Sequence, residues 1–320
     1  MTFLSAEDLR ALLDLPALID FMAARHRQPK GEMADILIGP LDARHLVRSA
    51  TSEDMLGTKL VTIVPGNLDR GLPSVQALMV VFDRATGVPL AMLDATEMTY
   101  WKTAADSALG SRILSRPNAN ALLICGAGGL APWLARAHLA VRPALRRIAI
   151  WNRTPKRAGQ LADALSAEFG LAVEVAEALQ PAVADADIIS TATMAREPFL
   201  LGAWLRPGQH LDLVGSYGPD TRECDDECVR RARVFVDSRE AALHGVGDIL
   251  GAIGAGALRQ DEILGDHYEL AAGAPGRMSE DDITLFKNAG GAHLDLMTAA
   301  FFLSRLGLAD PHISPGERRF

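Results

Sequence analysis

A glycine-rich turn at residues 126–131 has the residue types and spacing of a phosphate-binding site. Its sequence is Gly126-Ala127-Gly128-Gly129-Leu130-Ala131, and it directly follows the apolar run ALLIC at 121–125. In the pattern G-x-G-x-x-A, the first glycine permits a tight turn and the second lets the backbone approach a pyrophosphate. The small last residue lets strand and helix pack closely, and the helix that follows presents free N–H groups to the phosphates. The turn therefore predicts a dinucleotide site.

The residues after the next apolar run bear on the type of dinucleotide. Asn152, Arg153 and Thr154 lie 24 to 26 residues after Gly128, where the second strand of such a unit meets the adenine ribose. An acidic residue there would bind the ribose 2′-hydroxyl, whereas the planar fork of an arginine suits a 2′-phosphate. We predict that these three residues bind NADP(H). NAD(H) remains the alternative, because a solvated arginine is also common at a strand end.

The elements around this turn alternate between strand and helix. Short apolar runs are separated for the most part by helical segments rich in Ala and Leu, and the runs are 121–125, 146–151, 172–176, 186–193, 210–215 and 233–237. This alternation is typical of a parallel sheet with helices on both faces. The sequence therefore predicts an α/β protein with a Rossmann-type, doubly wound parallel sheet, and we place this NAD(P)-binding domain at residues 117–295.

The first part of the chain has a different pattern. Ser5 and Asp8 form a predicted capping box before an apolar helix. Segments rich in aliphatic residues at 45–50, 57–65, 75–83 and 89–95 predict a largely antiparallel sheet, with turns at 65–67 and 84–87. A helix is predicted from 96 to 114, and the tail from 281 to 306 contains a strand-like segment, a Gly-Gly turn and an apolar helix. These features predict a second, α+β domain for substrate binding and dimerisation, formed by residues 1–116 with 296–320.

Composition excludes several classes of function. The 320 residues carry a formal net charge of −8, and the 32 Lys and Arg residues form no dense run, so we expect no nucleic-acid partner. No window reaches about 18 apolar residues without charge, so we expect no membrane span. The N-terminus does not resemble a secretory signal, and three cysteines are too few for a disulfide framework, which favours a cytoplasmic protein. Cys224 and Cys228 lack nearby partners, so no metal site is predicted.

Several separated motifs between about residues 56 and 300 resemble those of one known family. They are GTKLVTIVPGN (57–67), GLPSVQAL (71–78), KTAADSAL (102–109), GAGGLA (126–131), TATMAREP (191–198), GSYGPDTRECD (215–225) and DDITLFKNAGGA (281–292). Together they resemble the ornithine cyclodeaminase/mu-crystallin family. The resemblance implies a two-domain subunit, a homodimer joined through the sheet of the non-Rossmann domain, and redox chemistry at the Cα–N bond of a small amino or imino acid.

The resemblance also implies roles for particular residues. Lys59 matches the family's lysine near the substrate carboxylate, and Lys102 stands where the family usually has an arginine that grips the same group. The family's N-terminal P-x-R segment, which supplies a further arginine, appears here as Pro29-Lys30-Gly31, and Arg48 is a candidate to replace that arginine. Asp94 is a further candidate for the substrate pocket. Arg48 and Asp94 are each as plausible as structural residues. The residues that match segments lining the nucleotide are Thr191, Ala192, Thr193, Val214, Gly215, Lys287, Asn288 and Gly290.

The position after Gly215-Ser216 determines the predicted reaction. Cyclodeaminases have an aspartate there that serves as catalytic acid and base, whereas this chain has Tyr217. A tyrosine is a poor base at neutral pH. A cyclic ketimine already contains the C=N bond, so its reduction needs mainly hydride positioning and an anchored carboxylate. We therefore predict an NADP(H)-dependent reductase of cyclic imino acids such as Δ1-pyrroline-2-carboxylate, with Lys59 and Tyr217 as candidate catalytic residues.

Two alternatives remain open at this point. One is an ornithine cyclodeaminase, a lyase that releases ammonia from L-ornithine and recycles its cofactor. The other is a protein of the mu-crystallin type that binds NADPH and a small ligand without turnover. Tyr217 could also be a packing residue at the pocket wall, about as readily as a proton donor.

Overall fold

Two compact units make up the chain in the computed structural model, which describes residues 2–40, 42–216 and 218–308, except for the side chain of Leu68. Unit 1 comprises Met1–Lys102 and Gly291–Phe320, and unit 2 comprises Thr103–Gly290. The predicted boundaries, after residues 116 and 295, lie further along the chain.

Unit 1 contributes the first part of the element order. Its elements are β1 (Thr2–Leu4), α1 (Ala6–Leu12), α2 (Leu15–Arg25), β2 (Met33–Ile38), β3 (Arg44–Thr51), β4 (Met55–Ile63), a 3₁₀ helix (Pro65–Arg70), β5 (Val75–Asp83) and β6 (Pro89–Asp94). Helix α3 (Met98–Leu114) contains the boundary between the units.

Unit 2 continues with strands and helices in alternation, and the chain returns to unit 1 for its last described helix. The elements are β7 (Ala121–Cys125), α4 (Ala131–Val141), β8 (Arg147–Trp151), α5 (Pro155–Phe169), β9 (Val173–Val175), α6 (Leu179–Asp185), β10 (Ile188–Thr191), a 3₁₀ helix (Gly202–Trp204), β11 (His210–Leu213), α7 (Asp226–Arg231), β12 (Arg233–Val236), α8 (Arg239–Ala242), α9 (Gly247–Gly254), a 3₁₀ helix (Gln260–Glu262), α10 (His267–Ala271), β13 (Thr284–Lys287) and α11 (Ala292–Arg305).

The N-terminal helix begins as the sequence predicts and then breaks. The Ser5 side chain accepts from the Asp8 backbone N–H, and Asp8 in turn accepts from the Ser5 backbone N–H, which confirms the capping box. The apolar pattern predicted one helix, but a second one starts at Leu15. Asp14 caps it by accepting from the Ala17 N–H, and a proline stands in its first turn. Both features favour a new helix start over continuation.

The sheet of unit 1 has the order β1-β6-β5-β4-β3-β2 and is antiparallel except for the pair β1 and β6. The predicted antiparallel sheet is confirmed, but its edge strands β1 and β2 were not predicted. Helix α11 packs on β3 and β4. At Gly57 a side chain would overlap Met79 and Leu296, so the glycine allows this close approach of helix and strand.

The sheet of unit 2 has seven parallel strands in the order β12-β13-β11-β10-β7-β8-β9. The first five strands of unit 2, β7 to β11, therefore have the 3-2-1-4-5 arrangement of a doubly wound nucleotide-binding fold, with β7 as the first. The strand-like segment of the predicted tail is β13, which lies between β11 and β12. The Rossmann-type prediction is confirmed, and the carboxyl ends of β7, β10 and β11 meet where ligands bind in such sheets.

Candidate dinucleotide and carboxylate sites

The glycine-rich turn connects β7 to α4, and its glycines at positions 126 and 128 are under different constraints. Gly126 has φ of 123°, and a side chain there would overlap the Ala192 backbone. Gly126 is therefore required by the protein itself. Gly128 has no positive φ, is exposed, and a Cβ there would meet nothing. The chain itself gives no reason for glycine at Gly128, whereas close approach of a pyrophosphate does.

The start of α4 completes this turn. The helix begins at Ala131, whose N–H donates to the Gly128 carbonyl, and Gly129 is exposed beside it. Ala127 and Leu130 are half-buried, and Leu130 makes no side-chain cap at the helix start. The N-terminal end of the helix dipole is thus left without a protein anion, which suits a phosphate. The residues present fit a dinucleotide.

The candidate ribose-binding residues lie at the end of β8. Arg153 and Thr154 are exposed, and Thr154 is the N-cap residue of α5 without a side-chain cap bond. The Asn152 amide donates to the Thr154 carbonyl, which fixes the turn between strand and helix. Arg153 is therefore available to a solvent-borne phosphate, while Asn152 has a structural bond already.

A buried glutamate joins the loops that follow β10 and β11. The Glu223 carboxylate accepts from the hydroxyls of Thr191 and Thr193 and from the backbone N–H groups of Thr193 and Gly215, all at 2.7 Å. The Ala192 N–H donates to the Cys125 carbonyl at the end of β7. Four of the predicted nucleotide-lining residues, at 191–193 and 215, are thus held together, although their threonine hydroxyls are engaged inside the protein.

The pKa of Glu223 is shifted by its burial and by neighbouring charges. Burial, and next the nearby carboxylate of Asp248, raise the pKa of Glu223, while the Lys287 ammonium and the two threonine hydroxyls oppose that rise. Asp248 Oδ2 accepts from Lys287 Nζ at 3.3 Å, and both side chains are buried. Two carboxylates and one ammonium therefore share this interior.

The remaining predicted nucleotide-lining residues are held in place by hydrogen bonds within the protein, which leave mainly their backbone for a nucleotide. The Lys287 side chain is directed to Asp248, and the Asn288 amide donates to the Thr103 carbonyl and the Ser107 hydroxyl. Gly290 has φ of 74° and donates its N–H to Asp237. Val214 is buried, and its N–H donates to the Thr191 carbonyl. Since the side chains of Lys287 and Asn288 are occupied internally, their placement favours a supporting role for these two residues.

Unit 1 contains a buried cluster of charge around Lys59. Lys59 Nζ lies 2.7 Å from Asp295 Oδ1 and 3.5 Å from Thr99 Oγ1, and both Lys59 and Asp295 are almost fully buried. Lys102, from the first turns of α3, is 3% exposed, and none of the described residues accepts a hydrogen bond from it or pairs with it. Asp295 Oδ2 likewise has no partner among the described residues. The strand β4 and the helices α3 and α11 of unit 1 thus bring together charges that they do not fully pair.

The two ends of this ion pair have perturbed acidities. Burial lowers the pKa of Lys59 to about 8, with the charges of Lys102 and Arg48 acting in the same direction and Asp295 opposing them. Burial alone would raise the pKa of Asp295, but Lys59, Lys102 and Arg48 bring it below its usual value. Lys102 and Arg48 therefore shift the pKa values of both Lys59 and Asp295 in the direction expected of nearby cations.

The register of the sheet puts Lys59 and Asp94, two of the predicted substrate residues, on opposite faces. Arg48 is directly opposite Lys59, and Lys59 is opposite Met79, so their side chains share one face. Arg48 is bonded to Asp35 at 2.6 and 2.9 Å. Met79 is opposite Leu93, so the neighbouring Asp94 faces the other way; it accepts from the Thr96 N–H in a turn. Strand alternation therefore puts Asp94 on the opposite face of the sheet from Lys59, and its place in the substrate pocket stays a prediction.

Tyr217 lies outside the described residues, so its predicted catalytic role stays a prediction. The described ranges contain no group of three or more His, Cys, Asp or Glu side chains that could hold a metal ion. Cys125, Cys224 and Cys228 are buried free thiols. Within the same ranges, no helix has the length and apolar character needed to cross a membrane.

Two functional candidates, Asp295 and Glu223, were missed from the sequence. Asp295 is the only acidic residue in the apolar helix α11, and a lone carboxylate in a buried helix was a usable signal. Glu223 is in a polar loop before α7, where nothing in the local pattern distinguishes a buried carboxylate from a solvated one.

The parallel sheet, the open Gly128 and the free start of α4 define a dinucleotide-binding protein of the Rossmann type. The chain belongs to the ornithine cyclodeaminase/mu-crystallin family, whose sequence profile matches residues 45–306. It is 44% identical to a Delta(1)-pyrroline-2-carboxylate reductase of Paracoccus denitrificans over 93% of this chain and 95% of the relative. It is 38% identical to the ketimine reductase mu-crystallin of Mus musculus, over 78% of this chain and 76% of that protein.

A solved structure matches nearly all of the chain. It is the Delta(1)-pyrroline-2-carboxylate reductase of Thermococcus litoralis in complex with NADH and L-proline. The TM-score is 0.89 at 32% identity, over 95% of this chain and 97% of that one. The family predicted from the motifs is thereby confirmed.

Proposed function

We propose that this protein reduces small cyclic imino acids, such as Δ1-pyrroline-2-carboxylate, with NAD(P)H as the hydride donor. The observation that carries the proposal is the incompletely paired cation cluster of unit 1, in a chain whose other unit has an open dinucleotide turn. The two relatives and the solved structure described above are named as imine or ketimine reductases, which supports the same reaction class.

The charges of the cluster favour a substrate with a carboxylate. Lys59 and Lys102 carry two positive charges against the single charge of Asp295, and Arg48 has Asp35 as its own partner. A buried cation without a counter-ion is costly, so binding of an anion is favourable there. In our proposal Lys59 and Lys102 hold the substrate carboxylate and thereby orient the C=N bond.

The reaction balances with one NAD(P)H oxidised for each protonated imine reduced. NAD(P)H, when bound, supplies the hydride that the imine carbon takes up. A cyclic imine that enters in its protonated form keeps its proton on nitrogen and leaves as the secondary amine. The residues of this chain therefore need only bind, orient and keep the site dry; Tyr217 remains a candidate proton donor to an imine that arrives unprotonated.

We propose NADP(H) as the preferred dinucleotide. Arg153 is exposed at the end of β8, at the position where a 2′-phosphate would distinguish the two cofactors. We expect NADPH to bind more tightly than NADH. Arg153→Ala should raise the dissociation constant of NADPH about tenfold and leave that of NADH unchanged. Titration of both cofactors against both proteins measures this. Tighter binding of NADH, insensitive to Arg153→Ala, would contradict the preference.

A homodimer is the assembly that we propose. The edge strand β2 exposes Ile36, Leu37 and Ile38 by more than half, and an exposed apolar strand edge is a site for pairing with another chain. Light scattering after gel filtration tests this: the mass should be twice that of the chain, and Ile36→Glu with Ile38→Glu should lower it.

We also propose a reducing, cytoplasmic location, supported by the three buried free thiols and testable by fractionation.

The experiment that tests the reaction follows NAD(P)H absorbance against a panel of cyclic imines, with proline formation and ammonia release measured in parallel. We expect equal amounts of NAD(P)H consumed and proline formed, with no ammonia. Lys59→Ala should abolish most turnover. Ammonia release from L-ornithine without net consumption of cofactor would instead establish a cyclodeaminase. Tight NADPH binding without turnover of any imine would establish a binding protein.

A further inference from the structure

The carboxylate of Glu223 occupies a position between two loops that both contribute to the dinucleotide site proposed for unit 2. One loop follows β10 and contains Thr193, and the other follows β11 and contains Gly215. At Gly215 a side chain would overlap both the Thr193 backbone and Glu223, so the two loops approach each other as closely as the backbone permits. Glu223 itself is fully buried. The loops therefore meet across this one carboxylate.

The hydrogen bonds of Glu223 use both of its side-chain oxygens as acceptors. Oε1 accepts from the N–H and the hydroxyl of Thr193, and Oε2 accepts from the Gly215 N–H and the Thr191 hydroxyl. Each oxygen thus holds one backbone N–H from a different loop. A backbone N–H can only donate, whereas a threonine hydroxyl can also accept. An amide in place of the carboxylate would therefore leave one of the two N–H groups facing another donor.

Glu223 is fixed from behind by a second buried carboxylate. Asp248, at the start of α9, accepts from the Glu223 N–H at 2.8 Å and from Lys287 Nζ at 3.3 Å. The Asp248 N–H donates to Ser216 Oγ, which is also in the loop after β11. The end of β13 and the loop after β11 are thus tied to the backbone that carries Glu223.

We propose that Glu223 is a positioning residue for the dinucleotide, which sets the separation of the loops after β10 and β11 by bonding to one backbone N–H of each. It acts through those loops and does not itself touch the substrate. The proposal rests on the dinucleotide site in the proposed function, but not on the identity of the imine. It predicts that loss of the carboxylate weakens dinucleotide binding more than it changes the use of the imine.

The test measures dinucleotide binding directly, by titration calorimetry with NADPH and NADH, on the full-length protein. Glu223→Gln should raise the dissociation constant about tenfold or more, because one buried N–H is left without an acceptor. Glu227→Gln is the matched control, since Glu227 is exposed on α7, only four residues away; its dissociation constant should stay within about twofold. Steady-state kinetics should show a larger rise in KM for the dinucleotide than for the imine.

Unchanged binding of the dinucleotide overturns the proposal, and weaker binding supports it. An unchanged dissociation constant for Glu223→Gln, even with a lower melting temperature, would show that Glu223 is structural only and would overturn it. If that variant does not fold, Glu223→Asp replaces it: the charge is kept but the chain is one methylene shorter, and weaker binding of dinucleotide supports the proposal while unchanged binding overturns it. Binding of dinucleotide by the wild type without reduction of any imine would refute the proposed reaction but leave this test intact.

Discussion

The cation cluster of unit 1 and the carboxylate network of unit 2 are both buried, but they differ in how completely their groups are paired. Around Lys59, one oxygen of Asp295 has no hydrogen-bond partner among the residues that the structure describes, and Lys102 interacts with Asp295 through its charge but without a hydrogen bond to it. Around Glu223, both carboxylate oxygens accept two hydrogen bonds each. A buried group that is left unpaired is costly, whereas a fully bonded one makes the local structure rigid.

This difference indicates which of the two buried groups of charges would itself contact a ligand. The cluster in unit 1 lacks an anion, and the substrate carboxylate would supply it. The network in unit 2 needs nothing further for itself, and its effect is to fix the backbone of the nucleotide-binding loops. Variants in the two regions should therefore separate substrate use from dinucleotide binding.

The largest expected effect is at Lys59. Lys59→Ala should lower kcat/KM for the imine about 100-fold or more, because a buried charge partner of the carboxylate is lost. Dinucleotide affinity should not change. Steady-state kinetics and calorimetry on the same preparation measure both. The double variant Lys59→Met, Asp295→Asn removes both charges at similar volume and serves as the folding control. Unchanged turnover in Lys59→Ala would remove the carboxylate anchor from the account.

The next largest effect is expected at Gly128, where a substitution should weaken dinucleotide binding. Gly128→Val should leave the melting temperature nearly unchanged, because a Cβ there meets nothing in the protein. It should weaken dinucleotide binding about tenfold or more, because the side chain would stand where the pyrophosphate approaches. Gly126→Val is the comparison: its positive φ and its contact with Ala192 predict a loss of stability of about 1–3 kcal/mol or more. Equal dinucleotide affinity of Gly128→Val and the wild type would show that the turn does not bind it.

A smaller effect concerns pH. Lys59 must be charged to bind the carboxylate, and its pKa is about 8, so kcat/KM should fall as the pH rises above that value. The charge of Asp295 raises the pKa of Lys59, so Asp295→Asn should move this decline to lower pH. A pH profile of kcat/KM at saturating dinucleotide measures the shift. An identical decline in the variant and the wild type would assign it to another group, such as the imine itself.

The smallest effect is expected at Lys102. Lys102→Arg should lower the KM for the imino acid by a few-fold, because a guanidinium binds a carboxylate through two hydrogen bonds and an ammonium acts as a point charge. Lys102→Ala should raise that KM about threefold to fivefold. Arg27→Ala, which removes an exposed cation of unit 1, should change nothing. If Lys102→Ala resembles this control, the carboxylate anchor consists of Lys59 alone.

The sequence predicts more of unit 2 than of unit 1. Strand and helix alternation and the turn at 126–131 are local patterns, so the doubly wound sheet, the family and Gly126 were all accessible. The edge strands β1 and β2 were not, since one has three residues and the other is exposed over most of its length. The pairing of Lys59 with Asp295 joins residues 236 positions apart, and the role of Glu223 depends on two loops that meet only in the fold. The face of the sheet on which Asp94 lies was also not accessible from the sequence, because it depends on the register of strand pairing.

The central claim is hydride transfer from the dinucleotide to the carbon of a cyclic imine. Its most direct test uses NADPH deuterated at C4, in each of its two epimers, with Δ1-pyrroline-2-carboxylate as the acceptor. Mass spectrometry and NMR of the product should show one deuterium at Cα of proline from one epimer and none from the other. Proline without deuterium from either epimer, or no proline from protein saturated with NADPH, would contradict the claim.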